Sequence, residues 1–245
     1  NLDYLGILAL SEEMTFTTGL QHEEVKAASQ SPDAISLDSV FGALSYTGFK
    51  GLTLSGGVRV DDHETFGSNT SFEASASYLL AATGTRIHAT WGEGFKAPTI
   101  FQLTYFCCGF EPNPDLKPEQ TEAWEAGVSQ SFADDRITFG ATYFDRKTQD
   151  LIIYTYSDGY QNVSRARTKG VELSFAADLS EALSFNANYT YTDATGTVPT
   201  DGDINDLRSI ALPSSSKHTF NAVLGYEKGP FDFRLAGTYR DRYLD

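Results

Sequence analysis

Cysteine, methionine and basic side chains are scarce in this chain. Its 245 residues include two Cys, one Met and 18 Lys and Arg against 33 Asp and Glu, which gives a formal net charge of −15. A protein that binds nucleic acid through its phosphates needs a basic face, so we expect no nucleic-acid partner. Because Cys107 and Cys108 are adjacent, they make neither a C-x-x-C metal motif nor the disulfide framework of a small secreted domain.

Long apolar runs and catalytic motifs are also missing. No run approaches the roughly 20 apolar residues of a membrane-spanning helix. The sequence has no G-x-S-x-G, no H-E-x-x-H and no phosphate-binding glycine loop. Ser216 and His218 lie two positions apart, which alone does not make a catalytic triad. We therefore expect a protein that is not an enzyme and has no covalent cofactor.

Alternation of apolar and polar residues is the dominant pattern. From Leu183 to Tyr191 the odd positions are apolar or aromatic, and the even positions are Ser, Asn, Asn and Thr. This period of two is typical of β-strands with one apolar face. Most runs are longer than the roughly 5–6 residues of a usual strand. There are about twelve runs, at residues 2–11, 14–27, 35–48, 51–63, 69–81, 84–95, 119–132, 136–149, 161–178, 182–193, 216–227 and 231–243.

The connections between these runs alternate in length. Short connections such as 133–135 and 228–230 alternate with longer ones, of which 96–118 and 194–215 are the longest. In an up-and-down sheet, alternate connections lie at opposite ends, so the long loops all fall at one end. The polar face carries mainly Ser, Thr, Asn, Gly and Gln, which suits a wet lumen with the apolar face towards lipid. The pattern predicts an all-β fold, a transmembrane antiparallel up-and-down β-barrel; a soluble barrel or sandwich is the alternative.

Several charged side chains fall on the predicted polar face. We expect them to line the lumen, where they pair with one another or with a further part of the protein. His88 fits a hydrogen-bonded lumen residue better than a metal ligand, because no second His takes a matching position. The predicted lumen residues are Arg59, Arg86, His88, Arg165, Arg167, Glu172, Arg234 and Arg240.

Five sequence blocks occur in order between residues 91 and 221. They are W-G-E-G-F-K-A-P-T (91–99), N-P-D-L-K-P-E (113–119), W-E-A-G-V (124–128), A-R-T-K-G-V-E-L (166–173) and L-P-S-S-S-K-H-T-F-N (212–221). Together they resemble the TonB-dependent outer-membrane receptors, and the last two are similar to the cobalamin-receptor-like and siderophore-receptor branches. Members of the family have a barrel of about 22 strands closed by an N-terminal plug.

The resemblance implies a fold, a location and a function. Residues 1–245 are expected to form about 12 strands of the larger barrel, with the plug and further strands on both sides outside them. The implied function is energy-coupled import of an iron–siderophore complex or a corrinoid across the bacterial outer membrane. The implied partners are outer-membrane lipid, that metal-chelate or corrinoid ligand, and the TonB complex acting through the plug. A passive porin or structural barrel, and a soluble all-β adhesin or binding domain, are the alternatives.

The connection 96–118 is the main candidate for a ligand-binding loop. Its aromatic side chains either form a surface for a large planar or hydrophobic ligand or pack the loop onto its neighbours. In an oxidising compartment, Cys107 and Cys108 are expected to form a disulfide, with each other or with cysteines elsewhere. Together with the tyrosines of the connection 150–160, the ligand-binding candidates are Tyr105, Phe106, Phe110, Tyr156 and Tyr160.

The connection 194–215 is rich in oxygen ligands. Asp201, Asp203, Asn205 and Asp206 could bind Ca²⁺, although the loop lacks the length and the final Glu of an EF-hand. A solvated acidic loop without an ion is the alternative.

Overall fold

The computed structural model describes residues 1–26, 34–104, 112–155, 159–200, 203–212 and 215–241. Thirteen β-strands and one short helix lie in these ranges. The helix is α1 (Ile100–Thr104), and the strands are β1 (Leu2–Ala9), β2 (Met14–Lys26), β3 (Ala34–Tyr46), β4 (Leu52–His63), β5 (Gly67–Leu80), β6 (Thr85–Lys96), β7 (Glu119–Phe132), β8 (Ile137–Thr155), β9 (Gly159–Ser180), β10 (Leu183–Thr200), β11 (Asp203–Ala211), β12 (His218–Lys228) and β13 (Phe231–Arg240).

All the strands belong to one antiparallel sheet in which neighbours in sequence are neighbours in space. The order runs from β1 to β10 and continues to β12 and β13, while β11 pairs with β10 beside this path. Within the ranges described, β1 and β13 each pair with a single strand, so the sheet is open there. This is the up-and-down topology that the alternating connections predict.

The register places apolar residues of neighbouring strands opposite one another. Ile87 of β6 lies opposite Val128 of β7, and Trp91 lies opposite Trp124. Since side chains alternate along each strand, matched pairs of this kind give the sheet one apolar face and one polar face. The apolar face is open to its surroundings; Leu235 of β13, for example, is 72% exposed. An exposed apolar surface of this extent marks a contact with lipid or with another protein.

The connections at one end of the sheet are tight turns, among them residues 47–51, 81–84 and 229–230. Gly51 has a φ of +83°, and a Cβ at that position would meet the Leu79 carbonyl oxygen. Only glycine adopts this conformation without a steric penalty.

At the other end, the strands run past their predicted limits. The prediction of a connection at 150–160 is wrong, because β8 and β9 pair as far as Thr155 and Gly159. The prediction at 194–215 is also wrong for most of its length, since β10 continues to Thr200 and pairs with β11. β11 accounts for the thirteenth strand in the part described. Alternation gives no signal where neither face of a strand is apolar, although the backbone pairing continues.

Residues 96–118 contain the one helix of the described part, the five-residue α1. In that part of the chain, no helix has the length and apolar character needed to cross a membrane.

Candidate functional site

The end of the sheet with the long connections carries a folded cluster, made of residues 96–104, 112–119, 150–155 and 159–162, which we call the rim cluster. Its centre is apolar: Ile100, Leu116 and Ile152 are 6%, 2% and 9% exposed. Among the residues described, Ile35 is the only other large apolar side chain that is buried to this degree. Three of these four parts of the rim cluster therefore each bury one large apolar side chain.

The junction between β6 and α1 begins the rim cluster. Pro98 has no N–H group, so it cannot continue the strand ladder. Thr99 and Gln102 then form a capping box: the Gln102 N–H donates to Thr99 Oγ1 at 3.2 Å, and the Thr99 N–H donates to Gln102 Oε1 at 2.9 Å. The sequence F-K-A-P-T is thus a strand-to-helix junction.

Asn113 holds the segment 112–118, which precedes β7, against β9 by hydrogen bonds. The Asp115 N–H donates to Asn113 Oδ1 at 3.0 Å, which closes an Asx turn around Pro114. Asn113 Nδ2 donates to the Tyr160 carbonyl oxygen at 2.9 Å and to Gln161 Oε1 at 3.1 Å. One amide side chain therefore both shapes the turn and holds it against the neighbouring strand.

Asn162 of β9 also holds the segment 112–118 in place by hydrogen bonds. Its Oδ1 accepts the Lys117 N–H at 2.7 Å, and its Nδ2 donates to the Lys117 carbonyl at 2.9 Å. Nδ2 also donates to the carbonyl of Asp150 at 2.7 Å. Asp150 has a φ of +53° at the irregularity in β8. The Asn162 side chain thus joins the segment 112–118, β8 and β9 at one point.

Glu119, at the start of β7, completes the attachment. Its side chain is 9% exposed, and its Oε1 accepts the N–H of Ile152 at 3.0 Å. Its Oε2 lies 3.6 Å from the Lys96 ammonium. A carboxylate this buried is stable only when its oxygens have partners, and here they cap an unpaired edge of β8.

Three aromatic rings lie on this framework. Phe101 of α1 meets Tyr160 edge-on at a centroid distance of 6.2 Å, and Tyr154 meets Tyr160 in the same way at 5.4 Å. Edge-to-face pairs of this kind hold rings in defined orientations. Phe101 is nevertheless 49% exposed, so the group, which we call the aromatic trio, presents ring surface outward.

Replacing Asn162 with alanine is expected to loosen the segment 112–118 without unfolding the sheet. The change removes three hydrogen bonds, and each is worth about 1 kcal/mol in net terms. We therefore expect the Lys117 amide to exchange with solvent at least ~10-fold faster, as measured by hydrogen–deuterium exchange. Asn188→Ala is the control, because that side chain, on the polar face of β10, makes no hydrogen bond within the part of the chain described. Equal protection of Lys117 in both variants would contradict the role of Asn162.

A second polar network lies on the polar face of β2, β3 and β4. The Arg59 guanidinium donates through Nε to Asp61 at 2.7 Å, and through Nη2 to Ser39 at 2.7 Å and Gln21 at 2.8 Å. The guanidinium also lies 6.0 Å from the centre of the Phe41 ring. The Asp61 side chain is 4% exposed, so the cluster is a fixed, internally paired feature of this face.

The register places most of the other predicted lumen residues on the polar face as well. Arg86 donates to Ser77 Oγ at 3.1 Å, and His88 Nε2 lies 3.5 Å from Thr142 Oγ1. Their contact with a lumen stays a prediction. The residues on this face, with Arg59, are Arg86, His88, Glu172, Arg234 and Arg240.

The predicted placement of Arg167 and Arg165 on the polar face is wrong. In β9, Arg167 is on the same side as Val171 and Leu173, and it lies opposite Lys147 of β8. It therefore belongs to the apolar face, beyond the last apolar residue, and alternation along β9 gives Arg165 the same side. Placing these two charges on the polar face was wrong, because charge alone does not reveal the side of a strand that continues beyond its apolar stretch.

Several predicted residues lie outside the described ranges. They are Tyr105, Phe106, Cys107, Cys108, Phe110, Tyr156 and Asp201. For the Ca²⁺ site, the backbone of Asp203 and Asp206 falls in β11. No group of three or more His, Cys, Asp or Glu side chains that could hold a metal ion is found among the residues that the structure describes. The ligand contacts, the disulfide and the Ca²⁺ site stay predictions.

The sequence interpretation did not identify Asn162, Asn113 or Glu119. The partners of Asn162 are 45 and 12 residues away, so no local pattern reports its role. Glu119 and Asn113 do stand in the block N-P-D-L-K-P-E, but their partners lie in β8 and β9, which no local pattern reports.

The sequence matches one family profile. It is described as "TonB dependent receptor-like, beta-barrel", and the match extends over residues 12–245, which is nearly the whole chain.

The fold of the chain is similar to the folds of several solved structures. The siderophore receptor PirA from Pseudomonas aeruginosa is 22% identical, with a TM-score of 0.75 over 97% of this chain and 45% of that one. A mutant of the ferric enterobactin receptor PfeA from the same organism, in complex with enterobactin, is 21% identical, with a TM-score of 0.74 over 97% and 40%. The copper transporter OprC is 18% identical, with a TM-score of 0.73 over 97% and 43%. The chain therefore spans less than half the length of these proteins.

Proposed function

Because this chain belongs to the TonB-dependent receptor-like β-barrel family, we propose that it forms part of the wall of an outer-membrane importer for a metal chelate. Barrels of this family are bacterial outer-membrane proteins, and the fold is that of a segment of such a barrel. The apolar face then contacts lipid, and the polar face, with the Arg59 network, lines the interior. An open sheet edge in lipid leaves backbone groups without partners, so further strands must close the barrel.

In the proposed mechanism, the rim cluster and a plug hold the ligand, and the TonB complex pulls on the plug to open a path. The barrel wall stays rigid during this step, since its backbone hydrogen bonds run between strands throughout. Asn113, Asn162 and Glu119 keep the extracellular loops in place around the opening.

The aromatic trio is the observation that carries the proposal. Three rings are fixed edge-to-face on a buried framework, and Phe101 is half exposed. Rigid aromatic surfaces bind large planar or apolar ligands with little loss of side-chain entropy. Along the sequence, Phe101 precedes the segment 105–111, and Tyr154 and Tyr160 flank the segment 156–158; these two segments hold the other aromatic candidates.

An iron–siderophore complex is the ligand class that we favour. Two of the similar structures are siderophore receptors, one of them in complex with enterobactin. A corrinoid fits the same large aromatic surface. Copper is a further ligand to be tested, because another similar structure is a copper transporter.

The double change Phe101→Ala/Tyr160→Ala is expected to lower uptake at limiting ligand about 10-fold or more, because two of the three rings are lost. The measurement is uptake by cells that carry the full-length protein, with labelled ferric siderophores, a corrinoid and copper tested in parallel. Phe49→Ala is the matched control: Phe49 also meets a tyrosine, Tyr46, edge-on at 6.0 Å, but at the tight-turn end. Equal uptake by both variants would place the ligand site elsewhere.

A passive porin is distinguished by the same assay. Uptake through a porin continues when the proton gradient is collapsed, whereas TonB-driven uptake stops. The family match argues against the soluble adhesin alternative, because barrels of this family are outer-membrane proteins.

A further inference from the structure

His63, the last residue of β4, is buried at the point where β4 turns into β5. The residue is only 5% exposed, and its ring packs against the ring of Phe66 at a centroid distance of 4.9 Å. On the apolar face of β4, Val60 is the last apolar residue and is followed by Asp62. His63 therefore lies beyond the apolar stretch of the strand, directly before the turn 64–66.

The ring of His63 takes part in the hydrogen bonding of this turn. The Thr65 N–H donates to His63 Nδ1 at 3.1 Å. An imidazole nitrogen accepts a hydrogen bond only when it carries no proton, so the observed turn requires neutral His63 with its proton on Nε2. A second proton on the ring would set two N–H groups against each other and would remove the hydrogen bond.

The residue after His63 joins the turn to β3. The Glu64 N–H donates to the Ser36 carbonyl oxygen at 3.1 Å, and the Ser36 N–H and hydroxyl both donate to Glu64 Oε2 at 3.1 Å. An imidazolium next to Glu64 attracts this carboxylate and competes with Ser36 for it. A proton on His63 therefore acts on the hydrogen bond within the turn and on the contact between the turn and β3.

Charged groups near His63 are few in the part of the chain described. The residues directly opposite it are Leu37 of β3 and Gly67 of β5, and neither is charged. Asp61, two residues earlier in β4, is already paired with Arg59. The titratable and charged groups closest to His63 on the polar face and in the turn are Glu23, Arg59, Asp61 and Glu64.

The surroundings of His63 favour its neutral form. Burial lowers the pKa of His63 below its ordinary value of about 6.5, and the negative charge of Glu64 offsets part of this effect. Because the opened turn takes up a proton more readily than the closed turn, acid favours opening. The stability of the turn is complete above about pH 6.5, falls as the pH drops below it, and reaches its minimum below the lowered pKa.

We propose that His63 is a pH-sensitive switch of the β4–β5 hairpin: the neutral ring closes the turn 64–66, and the protonated ring releases the turn from Ser36 of β3. In the proposed orientation of the barrel, this turn faces the outside of the cell, so the pH of the surroundings acts on it. The switch goes beyond the proposed import function, and its chemistry does not depend on the ligand.

The test is hydrogen–deuterium exchange of the full-length protein in detergent micelles at about pH 8 and about pH 5, with rates corrected for the intrinsic pH dependence of exchange. We expect the protection of the Thr65 amide to fall at least ~10-fold in acid and to return at the higher pH, because each unit of pKa shift is a tenfold change in the equilibrium. Protection of β7 should stay unchanged. Equal protection of Thr65 at both pH values, or an equal fall in β7, would overturn the proposal.

His63→Gln keeps a hydrogen-bond acceptor in the side chain but takes up no proton, so the protection of Thr65 should no longer depend on pH. His22→Gln is the matched control. It removes an imidazole from the apolar face of β2, where His22 Nδ1 lies 2.7 Å from Asp38 Oδ1, and should keep the pH dependence. Persistence of the pH dependence in His63→Gln, or its loss in His22→Gln, would contradict the role of His63. No ligand is added, so the outcome is separate from that of the import proposal.

Discussion

Arginine in place of Leu235 is expected to lower the free energy of unfolding of the full-length barrel in lipid vesicles by about 2–4 kcal/mol. Leu235 is the central apolar-face residue of β13, between Phe233 and Tyr239, and lies opposite Leu224 of β12. Its side chain is 72% exposed. In the proposed orientation it therefore contacts acyl chains. A guanidinium at this depth must be hydrated by thinning the bilayer or must bend towards the headgroups, and both are unfavourable.

Ala236→Arg separates the effect of lipid from the effect of added size and charge. Ala236 is the next residue of β13, and its side chain is on the polar face opposite Val223. If this face lines a wet lumen, the arginine keeps its hydration and the free energy of unfolding changes little. The measurement is urea unfolding followed by tryptophan fluorescence in vesicles of defined lipid. Equal losses for the two variants would contradict the assignment of the apolar face to lipid.

The part of the sheet with one apolar and one polar face could be predicted from the sequence. The run predicted at 119–132 coincides with β7 (Glu119–Phe132), and the run at 51–63 differs from β4 (Leu52–His63) by one residue. A strand between lipid and a polar interior must alternate, so its limits appear in the residue pattern. The alternating connections also predicted the up-and-down order of the strands, which the structure confirms.

Where a strand continues beyond its apolar stretch, the residue pattern no longer shows where the strand ends. β11 (Asp203–Ala211) was not predicted, and β9 continues to Gly159 without an apolar face. Arg167 shows an error that could have been avoided: its odd position matches Val171 and Leu173, so parity already put it on the apolar side. The role of Asn162 could not be predicted, since it depends on Lys117 in a distant segment.

Alanine in place of Gly170 is expected to lower the free energy of unfolding by about 1–3 kcal/mol, as for other overpacked sites. Gly170, in the block K-G-V-E-L, lies on the polar face of β9 beneath the ring of Phe144. A Cβ at this position would be 2.8 Å from Phe144 Cζ and would also meet the carbonyl oxygen of Tyr191. The ring can turn aside, but the carbonyl belongs to the hydrogen-bonded ladder between β9 and β10, so the strands themselves must separate.

Gly94→Ala is the control for Gly170→Ala, because Gly94 also lies on the polar face of a strand and a Cβ there has no atom of the described residues within 4 Å. In that variant the loss of chain flexibility in the unfolded state should leave the stability unchanged or raise it by about 0.4–1 kcal/mol. The double variant Phe144→Leu/Gly170→Ala tests which contact dominates. If the backbone contact with Tyr191 is the main cause, removing the ring restores only part of the loss in urea unfolding, whereas full recovery would assign the requirement for glycine to the Phe144 ring alone.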